Sequence, residues 1–257
     1  MTALREMIDA LEPQATGGWS GVVPDGWLQG RTCYGGLSTA MALHCAMASA
    51  PDLPPLRSAQ VSFVGPLAGT VSIATTLLRR GRNAAFVQAD IVGEAGLGLR
   101  CTFVFMRAID SELRHDRADA PDRRVPTAAE ETLKGHPLVP FTANFEFAER
   151  EVRGEAEWLR WARLNERDGI DPMVELMAIG DALPPAALRL LGRNVPMSSL
   201  TWIVNLLTPQ PATDGGWWLL RSAADHAVAG GSSQVMGIWN ARGEKVAEQM
   251  QSVAIFG

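Results

Sequence analysis

The chain carries the same succession of elements twice, and this internal repeat constrains its fold more than any other feature. The pattern predicts the same elements in residues 57–106 and in residues 198–256. A strand that ends at a proline comes first, followed by a strand with an arginine near its end and a glycine turn. A long hairpin and a final apolar strand complete each copy. A helix-like stretch precedes each copy, over residues 35–50 and 172–183. One helix followed by a long antiparallel sheet, present twice, predicts an α+β protein whose two halves share an interface.

Alternating and apolar runs indicate where the strands lie. Residues 83–93 alternate a mostly apolar face with a mixed one, which is typical of a strand with one side in the core. Turn residues at Pro24-Asp25-Gly26 predict a short hairpin over residues 16–31. Asp171-Pro172 predicts the start of the second helix, because Asp caps free N–H groups and Pro is tolerated at the first helical position. The other predicted strands are 57–65, 69–80, 98–107, 141–154, 157–165, 198–207, 216–225, 232–240 and 245–256.

A polar segment of mixed charge separates the two copies. Residues 109–138 contain several prolines and many charged side chains, a composition typical of a linker that is ordered by the surface it crosses. We therefore predict an N-terminal half over residues 1–108, a linker over 109–138 and a C-terminal half over 139–257. Trp217, Trp218 and Trp239 in the C-terminal half are expected to be packing anchors.

Composition excludes several classes of protein. With 47% apolar residues, 20% charged residues and a net charge of −5, the chain is typical of a soluble globular protein. No basic stripe is present to neutralise phosphates, so we expect no nucleic-acid partner. The longest weakly polar helix, over residues 37–50, is too short to cross a bilayer, so we expect no membrane insertion. Cys33, Cys45 and Cys101 form no CxxC and cannot all pair, which predicts reduced thiols in the cytoplasm.

The usual signatures of covalent and cofactor chemistry are missing from the sequence. It has no G-x-S-x-G, no P-loop and no G-x-G-x-x-G between a strand and a helix. The four histidines, His44, His115, His136 and His226, have no metal-ligand spacing. We therefore predict neither a metal site nor a bound cofactor.

Three positions in the C-terminal half are polar where the pattern favours apolar residues. Asp181 lies near the end of an apolar helix, Ser199 begins a strand, and Gln251 lies within the last strand. Burial and the negative end of the helix should both raise the pKa of Asp181, which suits a general base for water. Each residue also has a plainer interpretation: Asp181 as a cap for the Pro184-Pro185 turn, Ser199 as a strand-start hydroxyl, and Gln251 as a solvent-facing amide.

These residues meet a family pattern. The helix entry YGGLSTAMALHCA, the segment FVGPLAGTVSIATTLLRRGRNAAFVQADI, the helix end IGDALPPAAL and the strand SSLTWIVNLLTP carry the resemblance. Over essentially its full length the chain resembles the acyl-CoA thioesterase II type, the double hotdog thioesterases. That resemblance implies two fused copies of a curved antiparallel sheet, each wrapped around one central helix.

The resemblance also implies an activity. Such proteins hydrolyse acyl-CoA thioesters without a covalent intermediate, and their Asp, hydroxyl and Gln positions fall on Asp181, Ser199 and Gln251. No cofactor is implied, because CoA is part of the substrate. A homo-oligomer and one working site per chain are expected. Two departures from the family are Thr201, where an acid is frequent, and Asn205, where a His is common.

Substrate contacts are predicted from the N-terminal half. Tyr34, Gly35 and Gly36 open the first helix, where glycines allow close approach and free N–H groups favour the oxyanion of the reaction. The alternative is a tight helix entry that packs on the sheet. Arginines such as Arg80, Arg82 or Arg107 could meet the CoA phosphates at the rim.

Two other functions compete with thioester hydrolysis. One is a non-catalytic acyl-CoA-binding or scaffold protein, in which the three polar residues have lost their role. The other is a hotdog-fold enoyl-CoA hydratase, which would pair an Asp with a nearby His. The sequence offers no His beside Asp181, which disfavours the hydratase.

Overall fold

The computed structural model describes residues 2–118, 121, 124–152, 154–193 and 195–256. The elements of the first half are α1 Leu4–Asp9, β1 Glu12–Pro13, β2 Trp19–Val23, β3 Leu28–Gln29, β4 Thr32–Cys33, α2 Gly35–Ser49, β5 Leu56–Phe63, β6 Gly69–Arg80, β7 Ala84–Gly93 and β8 Gly96–Met106. Those of the second half are β9 Phe145–Glu149, β10 Glu157–Leu164, α3 Pro172–Gly180, β11 Met197–Leu206, β12 Trp218–Val228, β13 Gly231–Trp239 and β14 Lys245–Ile255. Short 3-10 helices cover Asp25–Trp27, Pro140–Asn144, Ala186–Leu190 and Asp214–Gly216.

Twelve strands form one antiparallel sheet whose order reflects the repeat. From edge to edge the order is β1-β2-β6-β7-β8-β5-β11-β14-β13-β12-β10-β9, while β3 and β4 form a separate ribbon. The halves join where β5 pairs with β11, and Gln60 lies opposite Ile203 at the centre of that pairing. Outward from this seam the repeated strands follow in the same order on both sides. The sheet therefore has an approximate two-fold axis at the seam.

The two long helices pack inside the sheet and contact each other. α2 is apolar nearly all round and packs on β6, β7 and β8, as expected of a fully enclosed helix. α3 lies against α2 across the boundary between the halves. On β7 the residues Ala85, Val87, Ala89 and Ile91 are buried, which confirms the predicted alternation. The helices and the inner face of the sheet thus form one continuous core.

Three local predictions are wrong. The strand expected over residues 141–154 is shorter: Pro140–Asn144 form a 3-10 helix, and the strand covers Phe145–Glu149. The hairpin expected over residues 16–31 does not form: β2 pairs with β1 and β6, and the Pro24 turn leads into a 3-10 helix. The actual tight hairpin is β3–β4, which turns at Gly30 with a φ of 65°. The second helix begins at Pro172, as predicted, with the Asp171 carboxylate accepting from the next free N–H groups. It ends at Gly180 instead of Leu183. Pro184 disfavours helical geometry at Leu183, the residue directly before it.

Described parts of the segment between the halves lie against the outer face of the C-terminal sheet. Residues 115–118 border a groove together with Trp239 and Lys245, and Val125 packs on a small outer cluster that contains Trp217 and Trp239. Trp217, Trp218 and Trp239 are all buried, which confirms them as packing anchors. The limits of the two halves and the linker stay a prediction. In the described part of the chain, no helix combines the length and the apolar character needed to span a bilayer.

Candidate active site

Asp181 lies where the two halves meet. It caps the C-terminus of α3, and its carboxylate accepts a hydrogen bond from the backbone N–H of Gly36 in the first turn of α2. A Cβ at position 35 would lie 2.4 Å from Asp181 Oδ2, so the approach requires glycine there. The C-terminal half therefore supplies the carboxylate, and the N-terminal half supplies the helix end that faces it.

Gln251 is the second predicted residue at this point. It is buried on the inner face of β14, and its Nε2 donates to Asp181 Oδ1 over 2.8 Å. Trp202 lies opposite Gln251 in the register of β11 and β14, and the two residues share the inner face. The solvent-facing interpretation of Gln251 is wrong, because only 2% of its surface is exposed.

The surroundings of Asp181 shift the titration of its carboxyl towards physiological pH. Burial raises the pKa of the carboxyl from an ordinary 3.8 to about 7, and this effect outweighs the hydrogen bonds from Gln251 and Gly36, which lower it. The side chain is enclosed by protein but keeps some contact with solvent. A carboxyl that titrates near pH 7 and can reach water fits the requirements of a general base.

Ser199 lies on the same face of the sheet as Gln251. It lies opposite the fully buried Val253 on β14, two residues from Gln251, so its side chain points to the same side of the sheet. A bulge at Leu200 interrupts the register directly after it. Among the described residues, no hydrogen bond joins the Ser199 hydroxyl to Asp181 or Gln251. The structure thus brings two of the three predicted residues together and leaves the third partly exposed nearby.

Tyr34 connects the two helices. Its side chain is fully buried, its hydroxyl donates to the Ala178 carbonyl over 2.7 Å, and its ring stacks on Phe141 with centroids 4.0 Å apart. The carbonyl is one of those that the end of α3 leaves without a helical partner. Burial and the nearby Asp181 carboxylate raise the pKa of the phenol, so it stays a neutral donor. A substrate contact by Tyr34 stays a prediction, and the geometry gives its side chain a packing role.

Gly36 fits against the same carbonyl. A Cβ at position 36 would lie 2.4 Å from the Ala178 oxygen and 2.6 Å from the Tyr34 ring. Both glycines at the start of α2 are therefore required for the contact between the helices. This observation supports the tight helix entry that was the alternative interpretation, and the N–H groups of that entry face Asp181 at the same time.

One residue of the site was missed in the sequence. Gln234 on β13 is buried, its Nε2 donates to Gln251 Oε1 over 2.6 Å, and its Oε1 accepts from the Ala186 N–H over 2.9 Å. The available signal was the same as for Gln251, namely a polar residue on the apolar face of an alternating strand.

The predicted arginines lie at the far end of the N-terminal sheet. Arg107 follows the end of β8 that pairs with Leu56, whereas Phe63, at the other end of β5, lies beside Gly35. A strand of this length separates them by about 20 Å. Phosphate contacts by Arg80, Arg82 and Arg107 stay a prediction. Within the described ranges, no group of His, Cys, Asp and Glu side chains could hold a metal ion.

Comparison with known proteins assigns the chain to a family. Residues 23–106 match the family model described as the acyl-CoA thioesterase N-terminal domain, and residues 109–255 match the acyl-CoA thioesterase C-terminal domain. The chain belongs to the acyl-CoA thioesterase family. No curated protein matches this thioesterase.

Solved structures share the fold of the thioesterase over its whole length. A hot dog fold protein of unknown function from Alicyclobacillus acidocaldarius is 22% identical, with a TM-score of 0.84 and coverage of 100% of this chain and 99% of that one. A thioesterase II candidate from Thermobifida fusca YX is also 22% identical, with a TM-score of 0.80 and coverage of 100% and 98%.

A mycobacterial relative extends the agreement. The acyl-CoA thioesterase II TesB2 of Mycobacterium marinum is 16% identical, with a TM-score of 0.73 and coverage of 98% of this chain and 96% of that one. The repeated α+β architecture predicted from the sequence, and the double hotdog fold that the family resemblance implied, are confirmed. The thioesterase is thus an enzyme with one continuous sheet around two central helices.

Proposed function

We propose that this thioesterase hydrolyses acyl-CoA thioesters to the free acid and CoA through a water molecule that Asp181 activates, without a covalent intermediate. The observation that carries the proposal is the 2.8 Å hydrogen bond between Gln251 and Asp181 at the first turn of α2. It joins a carboxyl of pKa about 7 to a neutral donor and to a helix N-terminus. These are the parts that water attack on a thioester needs.

In the proposed reaction, water held by Asp181 and Ser199 attacks the thioester carbonyl carbon. The new C–O bond forms as the water gives one proton to the Asp181 carboxylate. The C–S bond then breaks, and the CoA thiolate leaves and takes a proton from the Asp181 carboxyl. Orientation and general-base catalysis each lower the barrier, and the base alone contributes about 100- to 10,000-fold.

The start of α2 is suited to the negative charge of the intermediate. The first-turn N–H groups of a helix have no intrahelical acceptor, and the helix dipole favours an anion there. Gly36 N–H donates to the Asp181 carboxylate in the free enzyme. When Asp181 takes up a proton, the negative charge passes to the carbonyl oxygen, so the helix end faces one negative charge throughout. Gly35 and Gly36 are therefore the proposed oxyanion donors.

Covalent catalysis is less well supported. Burial raises the pKa of Cys33 and of Cys45 to about 12 and that of Cys101 further, so these thiols stay protonated and poorly nucleophilic. His44 lies on α2, where burial lowers its pKa and the charges nearest to it are Asp9, Asp171 and Arg5. No described His contacts Asp181.

The direct test is thiol release from a panel of acyl-CoA esters by the wild type and by Asp181→Asn. Asparagine can still accept the Gln251 hydrogen bond but cannot take a proton, so turnover should fall by about 100- to 10,000-fold while CoA-ester binding persists. The matched control is Glu175→Gln, which changes a partly buried carboxyl at the other end of α3 that accepts from Trp218. Equal turnover in Asp181→Asn and the wild type would remove Asp181 as the base.

The same assay separates the competing functions. A binding or scaffold protein would bind the esters calorimetrically and release no thiol. A hydratase would consume an enoyl-CoA, seen as loss of its absorbance, without thiol release. The expected homo-oligomer and cytoplasmic location stay predictions, which sedimentation and cell fractionation would check.

A further inference from the structure

Two buried glutamines form a continuous hydrogen-bonded row that ends at Asp181. Gln234 and Gln251 lie opposite each other on β13 and β14, and they are 1% and 2% exposed. Gln234 Nε2 donates to Gln251 Oε1 over 2.6 Å, and Gln251 Nε2 donates to Asp181 Oδ1 over 2.8 Å. At the other end, Gln234 Oε1 accepts from the Ala186 N–H over 2.9 Å.

The backbone N–H of Ala186 determines the orientation of both amides. A backbone N–H can only donate, so Gln234 must present its oxygen to Ala186 and its NH₂ group to Gln251. Gln251 must then accept with its oxygen and turn its own NH₂ group towards Asp181. Ala186 lies five residues after Asp181, at the start of the 3-10 helix that follows Pro184-Pro185. The segment that carries the carboxylate therefore also fixes the amide that binds it.

We propose that Gln234 is a positioning residue, which holds the Gln251 amide in the orientation that donates to Asp181. The inference rests on the proposed function, because the orientation matters only if the Asp181 carboxylate is the base. In the reverse orientation the Gln251 oxygen would face the carboxylate. That contact is repulsive unless the carboxyl is protonated, and a protonated carboxyl cannot accept a proton from water.

Few groups other than the amides can influence this carboxyl. From α2, the neutral Tyr34 phenol and the Gly36 N–H face it, and Cys33 beside Tyr34 is a neutral thiol. Phe63 on β5, Trp202 on β11 and Gln249 on β14 carry no charge. On α3 itself, Glu175 lies at the opposite end, bound to Trp218. Changing the Gln251 orientation should therefore act on Asp181 directly.

The test uses two variants of nearly conserved shape, Gln234→Met and Gln234→Glu, in the full-length enzyme. Met removes the donor and leaves the Gln251 amide free to turn. Glu attracts the Gln251 NH₂ group to itself and turns the Gln251 oxygen to Asp181. The acidic limb of the kcat/KM profile should move up by about half a pH unit in Gln234→Met and by one or more in Gln234→Glu. At pH 7, kcat should fall several-fold, with KM nearly unchanged.

Gln249→Met is the matched control. Gln249 is a buried glutamine on β14 that accepts from Trp202 Nε1 over 2.8 Å, so the same replacement also removes one buried hydrogen bond. It should lower Tm by a similar amount and leave the acidic limb in place. An acidic limb that moves equally in Gln249→Met and Gln234→Met, or in neither, would overturn the proposal.

A double-variant cycle separates this proposal from the proposed function. If Gln234 acts through Gln251, Gln234→Met should have no further effect on the pH profile in a Gln251→Leu background. Additive effects would overturn the positioning role. If Asp181→Asn is inactive while both Gln234 variants keep the wild-type profile, this inference alone fails. If Asp181→Asn is fully active, the proposed function fails first.

Discussion

The two halves have the same architecture, but among the residues that the structure describes, buried amides occur in the C-terminal half alone. Because the seam is centred on Gln60 and Ile203, Ala59 and Trp202 begin equivalent rows across the sheet. The equivalent rows of paired residues are Ala59, Phe103 and Val87 in the N-terminal half, and Trp202, Gln251 and Gln234 in the C-terminal half. The N-terminal row needs no hydrogen-bond partners. The C-terminal row needs several, and Asp181 and Ala186 are two of them.

The ends of the central helices also differ between the two halves. The C-cap of α3 is Asp181, which lies beside the first turn of α2, and Tyr34, the N-cap of α2, makes no side-chain hydrogen bond to that turn. α2 ends at Ala50, and the N–H groups at the start of α3 are already bound by the Asp171 carboxylate. The second possible site therefore has neither a base nor free donors. The two halves share one fold, and in the proposed function each contributes a different part of one site.

The largest effect is expected where the core amide is replaced by an apolar side chain. Gln251→Leu removes the donor that holds Asp181, and a displacement of the base by about 1 Å can cost about 100-fold in kcat. Phe103→Leu changes the equivalent residue of the other half and should keep kcat near the wild-type value. Thiol release measures both. Similar losses in the two variants would mean that the rows differ in sequence but not in role.

The pH dependence tests the carboxyl itself. Since the pKa of Asp181 is raised to about 7, the ionised base is lost below that pH, and kcat/KM should be about 100-fold lower at pH 5 than on its plateau.

The raised pKa of Asp181 also means that ionisation of this carboxyl costs stability in the folded state. The stability that the neutral Asp181 carboxyl contributes is present at low pH and is lost as pH rises through about 7. Asp181→Asn should therefore gain Tm relative to the wild type between pH 5 and 8, and a constant difference would contradict the assignment.

An added methyl group should lower kcat at Gly35 and leave it unchanged at Gly26, because Gly35 lies in a close contact and Gly26 does not. In Gly35→Ala the added Cβ would lie 2.4 Å from Asp181 Oδ2 and 2.8 Å from the Phe63 ring, so either the carboxylate or the helix must move. We expect kcat to fall by about 10-fold or more, because small displacements of a base cost much of its effect. Gly26→Ala is the control, since a Cβ there meets nothing within 4 Å. Unchanged kinetics in Gly35→Ala would show that the contact is not required.

Much of this arrangement could be predicted from local patterns, and the rest depends on contacts between distant segments. Alternation predicted most strands of both halves to within a few residues but extended β9 over residues 141–154, and Asp171-Pro172 predicted the start of α3. The pairing of β2 with β6 is non-local, so turn residues near Pro24 could not reveal it. Gln234 was not predicted, because alternation alone does not show which face of a strand is buried when the strand carries polar residues. The bond from Gly36 to Asp181 crosses between the halves and follows only from how the two helices pack.

The smallest effect is expected at Ser199, the predicted residue that has no hydrogen bond to Asp181 or Gln251 in the described part of the chain. Its hydroxyl is on the face of Gln251 but is partly exposed, so it would hold water as one of several partners. Ser199→Ala should lower kcat a few-fold, about the value of one neutral hydrogen bond, with little change in Tm. Ser198→Ala is the control, because that exposed neighbour bonds only the Ser199 carbonyl through its hydroxyl. A fall in kcat as large as that of Gln251→Leu would mean that Ser199 moves into contact with the water when substrate binds. If Ser199→Ala and Ser198→Ala have the same kcat, Ser199 takes no part, and hydrolysis depends on Asp181 and Gln251.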